Sequence, residues 1–288
     1  MKFSTLNGNS LKLDGGAMFG NAPKALWSQW TPADEMNRID IASRCLLVET
    51  CDRRVLFETG AGCHMPPPLR ERFGITESTH TLLSSLGKLG LSHTDITDIV
   101  LSHLHFDHVG GLLSAYAPGN ESLLLFPSAR YHVGAHAWER AVNPGIRDRA
   151  SFLPDLNRLL AASGRLVLHN GQERLKIGGM SLRFITSSGH TPGMISSDLR
   201  WNGRRLVVTA DLIPGIPWVH LPITMGYDRF PELLIDEKAA LLSSVVRDDA
   251  WLFYPHDSRM AFSKVICTPK NRYVATEPLE NLDRSELP

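Results

Sequence analysis

Thiols, excess charge of one sign and long apolar runs are all scarce in this chain of 288 residues. It has four cysteines and no Cys-x-x-Cys pair, so neither a disulfide framework nor a thiolate metal site is expected. Its 30 basic residues are balanced by 30 acidic ones, which argues against a nucleic-acid-binding surface because phosphate binding needs an excess of positive charge. No segment approaches the roughly 18 apolar residues of a membrane span.

The amino-terminal residues also lack the apolar core and the small-residue cleavage site of a signal peptide. A cytoplasmic location is therefore expected. Apolar residues make up 43% of the chain and charged residues 21%, which is typical of a globular protein with an ample core.

Residues 103–108, which read His-Leu-His-Phe-Asp-His, form the most informative motif. Imidazole and carboxylate groups hold zinc, manganese or iron(II) without help from thiolates. The preceding residues 98–102 look like a buried strand, and Gly110 and Gly111 follow the motif. The motif therefore leaves the end of a strand and enters a loop, which predicts a metal site at the edge of a sheet.

Three further candidate ligands each follow an apolar, strand-like run. His190 lies in a Gly-His-Thr-Pro-Gly turn, Asp211 follows Leu-Val-Val-Thr-Ala, and His256 follows Trp-Leu-Phe-Tyr-Pro. Strands that end at one rim of a sheet bring their next residues to one place. Seven donors result, which are His103, His105, Asp107, His108, His190, Asp211 and His256.

These donors divide into two sets that share one carboxylate. One cation takes His103, His105 and His190. The other takes Asp107, His108 and His256, and Asp211 bridges the pair. Two cations about 3.5–4 Å apart can share a water whose pKa falls from about 15.7 towards about 7, so a nucleophile is available at neutral pH. The sequence thus predicts a dinuclear metal hydrolase, with zinc, manganese, cobalt or iron as candidate metals. The other histidines are interpreted as structural, with only His220 kept open.

Predicted strands and helices alternate along the rest of the chain. Helices are expected over 77–90, 135–142 and 232–246, and strands over 44–49, 53–58, 131–133, 166–168, 180–185, 205–209 and 251–254. This order indicates sheets flanked by helices.

The His-x-His-x-Asp-His motif, followed in order by a His, an Asp and a His, resembles the metallo-β-lactamase superfamily over about residues 40–260. The resemblance implies an αββα sandwich of two mixed β-sheets flanked by helices, with metals, usually zinc, at one edge. It also implies hydrolysis. Glu58 stands where relatives usually carry Asp, and this predicts a rearranged contact to a metal ligand. Met194 replaces a histidine found in many relatives and lies outside the seven donors.

The branch of the superfamily follows from finer features of the sequence. The complete donor set disfavours flavodiiron proteins and class B1 and B2 lactamases, and the chain has no room for the inserted domain of the RNA-processing members or the helical substrate domain of glyoxalase II. Residues 14–20, 210–214 and 225–228 are similar to the quorum-quenching lactonase and methyl parathion hydrolase branch. The resemblance implies one domain over 1–288 and a homodimer. In it, residues 1–40 lie at the dimer interface and the rim of the active site.

For an N-acyl homoserine lactone, the resemblance implies attack by a metal-bridging hydroxide on the ring carbonyl. Asp107 then carries a proton towards the leaving alkoxide. The tyrosine that many acyl-homoserine lactonases place three residues after the bridging Asp is Pro214 here, so Tyr227 or His220 is expected to replace it. Candidates for an apolar wall around the acyl chain are Met18, Phe19, Trp27 and Trp218.

Three alternatives to the lactonase remain open. The first is a phosphotriesterase or other ester hydrolase of the same fold, which needs no long acyl groove. The second is a metal-containing sensor or ligand-binding protein with vestigial turnover. The third is a mononuclear iron oxygenase, which would be distinguished by bound iron and oxygen consumption.

Overall fold

The computed structural model describes residues 1–171 and 173–288. Its strands are, in chain order, β1 (Lys2–Asn7), β2 (Leu11–Asp14), β3 (Arg38–Ile41), β4 (Arg44–Glu49), β5 (Arg54–Phe57), β6 (Asp98–Leu101), β7 (Arg130–Gly134), β8 (Leu166–His169), β9 (Arg174–Ile177), β10 (Met180–Ser187), β11 (Met194–Trp201), β12 (Arg204–Val208), β13 (Trp251–Phe253), β14 (Phe262–Cys267) and β15 (Tyr273–Leu279). Its helices are α1 (Gly15–Phe19), α2 (Lys24–Trp27), α3 (Pro67–Arg72), α4 (Thr81–Lys88), α5 (Phe106–Val109), α6 (Ala135–Val142), α7 (Pro154–Ala162) and α8 (Pro231–Arg247).

Two mixed sheets form the centre of the fold. The first sheet has the strand order β1-β4-β5-β6-β7-β8, with antiparallel pairs from β1 to β5 and parallel pairs from β5 to β8. The second has the order β15-β14-β13-β12-β11-β10-β9 and is antiparallel except for the β12–β13 pair. The strands β2 and β3 form a separate hairpin near the amino terminus.

Strand β6 shows how the layers are built, because successive side chains of a strand point to opposite faces of a sheet. Val100 packs in the core between the two sheets. Its neighbours Ile99 and Leu101 pack on the other face, in a core that includes Leu82 and Leu86 of α4. A third core places α8 and the amino-terminal segment against the outer face of the second sheet. The predicted sandwich of two mixed sheets flanked by helices is confirmed.

The structure differs from the sequence predictions in several elements, and two of them are informative. The helix expected over 77–90 begins only at Thr81, where the His80 Nδ1 accepts a hydrogen bond from the Leu83 amide as an N-cap, and it ends at Lys88. Strand β11 was not predicted, because it contains Ser196, Ser197 and Asp198 in its buried interior. No helix of the described residues is both long and apolar enough to cross a membrane.

Candidate metal centre

The His-x-His-x-Asp-His segment lies where β6 ends at an edge of the first sheet. His103 and His105 precede the single turn of α5, which carries Asp107 and His108. The chain packs closely here, since the Gly111 amide donates to the Gly60 carbonyl at 2.9 Å. A Cβ atom at Gly111 would lie 2.0 Å from the Thr59 carbonyl oxygen, so only glycine allows this approach.

The remaining candidate ligands arrive from ends of strands in the second sheet. Val208 pairs with Phe253 in the parallel β12–β13 ladder, and Asp211 and His256 each follow three residues later. His190 likewise lies three residues beyond the end of β10. The two sheets meet at this rim, since the Ile195 amide donates to the Ser102 carbonyl at 2.9 Å. The fold thereby brings segments that are far apart in sequence to one place.

The carboxylate of Asp211 lies between two groups of imidazoles. Its Oδ2 is 3.2 Å from the His190 Nε2 and 4.0 Å from the His103 Nε2. Its Oδ1 is 3.1 Å from the His256 Nε2 and 3.3 Å from the His108 Nε2. One carboxylate therefore faces both halves of the predicted ligand set.

The two outer ligands complete these groups. The His105 Nδ1 lies 3.3 Å from the His190 Nε2, and the Asp107 Oδ2 lies 3.5 Å from the His256 Nε2. Ligand atoms lie within 4.8 Å of one another in three groups, which are His103 with His105 and His190, His103 with His108 and Asp211, and Asp107 with His108 and His256. The structure brings all seven predicted donors together.

The residues present fit a pair of divalent cations. The Nε2 atom of His103 is buried, and within residues 1–171 and 173–288 it has no hydrogen-bond partner. A buried polar atom without a partner costs free energy, which a metal ion would offset. Imidazole and carboxylate donors without thiolates suit zinc and other divalent first-row metals.

Burial also sets the protonation of the ligands. It lowers the pKa of His103 and of His105 well below the usual range, so both imidazoles are neutral, as metal ligation requires. Burial acts to raise the pKa of Asp211, but His108 and His256 outweigh it and hold that pKa well below its usual range. The centre therefore offers an ionised carboxylate and two neutral imidazoles. Burial acts to lower the pKa of His108 and of His190 as well, but the charge of Asp211 outweighs it and raises both, so these two imidazoles must release a proton when they bind a metal.

Asp228 contacts the Nδ1 of His190, which is the nitrogen that does not face Asp211. Its Oδ1 lies 2.8 Å from the His190 Nδ1, and its Oδ2 accepts a hydrogen bond from the Met225 amide at 2.6 Å. Such outer contacts fix the tautomer and the direction of a ligating histidine. Asp228 was missed as a functional residue because, in sequence, it is only one acidic residue of a turn.

Glu58 takes the place of the Asp expected from the resemblance and still reaches the centre. Its Oε2 lies 3.4 Å from the His108 Nδ1, and its Oε1 accepts a hydrogen bond from the Ser102 amide at 3.1 Å. The residue has a φ of 62°, which is unusual for a side chain other than glycine. The longer side chain thus contacts His108 from a left-handed backbone position.

Helix α8 holds the loop that carries His190. The Glu237 Oε1 accepts a hydrogen bond from the Ser188 amide at 2.8 Å, and its Oε2 accepts from the Gly189 amide at 3.0 Å and from the Ser187 hydroxyl at 2.5 Å. Three hydrogen bonds to one carboxylate make this loop rigid. Sequence reasoning missed Glu237 because the helical pattern alone marks it as an ordinary exposed position.

A cavity of about 350 Å³ opens over the centre. His105, Asp107, His190, Asp211 and His256 form part of its lining. Its apolar lining consists of Leu13, Met18, Ile41, Phe73, Phe106, Ala150 and Met225. Tyr227 lies in the same wall, and burial together with the charge of Asp107 raises the pKa of its phenol, which therefore stays protonated at neutral pH.

Most of the predicted aromatic wall lies elsewhere. Met18 lines the cavity, but Phe19, Trp27 and Trp218 are not among its lining residues. The Phe19 ring stacks on Trp218 with centroids 4.6 Å apart and on Trp27 at 5.6 Å, and all three are buried. They fill the core between the amino-terminal segment and the second sheet. His220 lines a second cavity of about 520 Å³, to which Phe19 and Trp218 also contribute, and which shares Ile41 and His256 with the cavity over the centre.

Comparison with known proteins agrees with this geometry. The family model described as the metallo-beta-lactamase superfamily matches residues 39–256. A probable metallo-hydrolase of Mycobacterium bovis is 35% identical over 130 residues, which cover 41% of this chain and 37% of that protein. The N-acyl homoserine lactonase AiiB of Agrobacterium fabrum is 36% identical over 87 residues, covering 27% of this chain and 32% of that protein. The chain thus aligns with about a third of the length of these curated relatives.

Two solved structures are similar over nearly the whole chain. A probable metal-dependent hydrolase from Staphylococcus aureus has a TM-score of 0.82 and 26% identity, covering 96% of this chain and 97% of that one. AidC, a dizinc quorum-quenching lactonase in complex with its product, has a TM-score of 0.76 and 23% identity, covering 95% and 93%. At 23% identity, the similarity to AidC shows a shared fold.

Proposed function

Since the chain belongs to the metallo-beta-lactamase superfamily and is a metal-dependent hydrolase of that superfamily, we propose that it opens lactone rings, with N-acyl homoserine lactones as the first class to test. The observation that carries this proposal is the position of Asp211 between two groups of imidazoles at the floor of a cavity. The lactonase AiiB among the relatives supports the choice of a lactone.

Two divalent cations are part of the proposal. One would be held by His103, His105 and His190, and the other by Asp107, His108 and His256. Asp211 would be shared, since each of its oxygens faces one group. When bound, such a pair supplies Lewis acidity and an activated water at neutral pH. Zinc is the first metal to test, and manganese, cobalt and iron are the alternatives.

The protein's own side chains then have separate tasks. Tyr227, protonated and in the cavity wall, donates a hydrogen bond to the carbonyl oxygen of the substrate, in place of the tyrosine that Pro214 excludes. Asp107, also in the lining, accepts the proton that the attacking water loses and passes it to the leaving alkoxide, which becomes the hydroxyl group of the ring-opened product. Because Asp228 holds the turn that bears Tyr227 and also contacts His190, it aligns the two.

The apolar part of the cavity suits the acyl portion of a substrate. Leu13 and Met18 of the amino-terminal segment face the same space as Phe73 and Phe106. Residues 1–40 therefore belong to the rim of the site in this proposal. We also propose that this segment takes part in a homodimer, for which sedimentation of the protein at several concentrations is the test.

The test is ring opening measured with a pH indicator on protein of known metal content. The substrates are acyl homoserine lactones of increasing chain length, with a phosphotriester and an aryl ester in parallel. The Asp211→Ala variant is the blank, and Asp155→Ala on the exposed face of α7 is the matched control. Lactone opening that depends on Asp211 supports the proposal. Protein that holds two metals per chain but opens no lactone contradicts the proposal. If only the phosphotriester is hydrolysed, the phosphotriesterase alternative takes its place.

A further inference from the structure

Three arginines line the cavity over the metal centre, together with the ligands and the apolar residues. Arg72 lies at the end of α3, Arg147 in the loop after α6, and Arg229 in the segment before α8. They come from separate parts of the chain and meet only around this cavity. None belongs to the sequence motifs of the metal centre, so the proposed hydrolysis does not account for them.

Two of these guanidinium groups have no carboxylate partner among the residues that the structure describes. Arg147 donates from its Nη2 to the Gly226 carbonyl at 2.6 Å, which holds it beside Tyr227 without neutralising it. Throughout residues 1–171 and 173–288, no ion pair within 4.0 Å involves Arg72 or Arg147. Their positive charges therefore remain available to a ligand.

Arg229 shares a carboxylate that another arginine already holds. Its Nε lies 3.9 Å from the Asp148 Oδ2, whereas Arg140 donates to the same oxygen from its Nη2 at 2.7 Å and its Nε at 3.0 Å. The Arg229 Nη1 is buried and, within the described part of the chain, makes no hydrogen bond. One carboxylate against two guanidinium groups leaves an excess positive charge at this wall.

The metal ligands do not cancel this excess. Asp107 and Asp211 are the other acidic residues of the lining, and both face imidazoles of the centre. Two divalent cations outweigh two carboxylates. A cleft lined by charge of one sign concentrates ligands of the opposite sign, and guanidinium groups match a carboxylate by paired hydrogen bonds.

The arginines of the cavity wall contribute little to the binding of a neutral lactone. A lactone that carries a carboxylate is attracted by their charge and accepts hydrogen bonds from them. We infer that the natural substrate is a lactone or ester that carries a carboxylate in addition to the bond that is hydrolysed, bound by Arg72, Arg147 and Arg229. This inference rests on the proposed function and narrows its substrate class. An acidic lactone is therefore preferred to a neutral lactone of the same size.

The experiment compares two lactones on metal-loaded protein. One is a γ-butyrolactone with a carboxymethyl substituent, and the other carries the neutral carbamoylmethyl group of the same shape. We expect kcat/KM to favour the acid by about tenfold or more at low ionic strength, since a charged hydrogen bond contributes about 1.5–3 kcal/mol and about 1.4 kcal/mol is tenfold. The preference should shrink as salt is added, because the arginines at the rim are exposed.

Substitutions test whether the preference for the acidic lactone depends on the arginines. The double variant Arg72→Gln with Arg147→Gln should lose most of it, whereas Arg147→Lys, which keeps the charge, should retain part. Arg158→Gln is the matched control, because Arg158 lies on α7 with 64% of its side chain exposed. A preference that persists in the double variant overturns the inference, as does equal turnover of the two lactones by the wild-type protein.

A binding measurement separates this inference from the proposed function. Calorimetry gives the Kd of the two ring-opened hydroxy acids for the metal-loaded protein. If neither lactone is opened but the diacid binds more tightly than the monoamide, and only when the arginines are present, then anion recognition holds and the lactonase proposal fails. If both lactones are opened equally and both products bind equally, the lactonase proposal holds and the inference fails.

Discussion

Two buried clusters of imidazole and carboxylate lie in this protein, and they are built differently. In the candidate metal centre, the His103 Nε2 is without a hydrogen-bond partner among the described residues, although it lies 4.0 Å from the Asp211 Oδ2. In the second cluster, the Asp98 Oδ1 lies 3.0 Å from the His132 Nε2, and the His132 Nδ1 lies 2.9 Å from the His169 Nε2. The second cluster forms a continuous chain of hydrogen bonds.

The two clusters also differ in the groups that neutralise their carboxylates. Arg130 approaches the Asp98 Oδ1 to 2.7 Å and Arg53 approaches its Oδ2 to 3.6 Å, so protein cations neutralise this carboxylate. Among the described residues, the ion-pair partners of Asp211 are all imidazoles. The comparison teaches that residue type does not identify a metal centre. A metal centre also requires donor atoms that face a common point and are not already hydrogen-bonded, because only such atoms have a lone pair available for a metal ion.

The largest effect is expected from Asp211→Asn. The amide has the size of the carboxylate but carries no charge, so the shared position no longer holds two cations. We expect metal content well below that of the wild-type protein and no measurable turnover, determined by mass spectrometry of bound metals and by initial rates. Full metal content with normal turnover in this variant would contradict the role of Asp211.

Asp98→Ala tests the second cluster and should affect stability rather than metal binding. The change leaves the buried His132 and the guanidinium of Arg130 without their carboxylate, and breaking such a pair costs about 3 kcal/mol. Denaturant unfolding measures the loss. Asp155→Ala is the control, because Asp155 is 83% exposed and should change stability by less than about 0.5 kcal/mol. Loss of metal from folded Asp98→Ala would show that the clusters are coupled.

Asp228→Asn should weaken the metal centre without dismantling it. The one oxygen of Asn can still accept a hydrogen bond from the His190 Nδ1, but it lacks the charge that strengthens this bond, and the Asn Nδ2 cannot accept from the Met225 amide. Removal of such an outer contact lowers metal affinity about 10- to 100-fold, and we expect the lower end for Asn. Competition with a chelator measures the affinity. Equal affinity of variant and wild type would mean that His190 is oriented without help from Asp228.

The comparison also shows what the sequence can and cannot predict. Strand β4 was predicted with its observed ends because its four central residues are apolar and buried, with a charged residue at each end. Strand β11 was missed because its buried polar residues depend on partners from other elements. The Ser196 hydroxyl donates to the Thr209 carbonyl, and Asp198 accepts from Arg205. Such tertiary pairings leave no periodic pattern along the chain.

The candidate site divides in the same way. Its seven metal donors could be predicted because each stands at the end of an apolar run, and ends of strands meet at the rim of a sheet. The residues that line the cavity wall could not be predicted. An aromatic residue such as Trp27 has the same appearance in sequence whether it packs in a core or lines a cavity. Arg147 and Arg229 lie on irregular segments, whose positions are set by packing alone.

The smallest effect is expected from His169→Phe, and it appears as a pH dependence. Burial, and then the charge of His132, lowers the pKa of His169 in the folded protein. The unfolded chain therefore binds a proton at a higher pH than the folded chain does, so this residue reduces the free energy of unfolding as pH falls below about 6.5. Unfolding of the wild-type protein and of the variant, measured from pH 7.5 to 5 with saturating metal, should differ by this slope. His136→Gln, on an exposed face of α6, should keep it. Parallel curves for His169→Phe and wild type would mean that the second cluster takes up protons as readily as the unfolded chain.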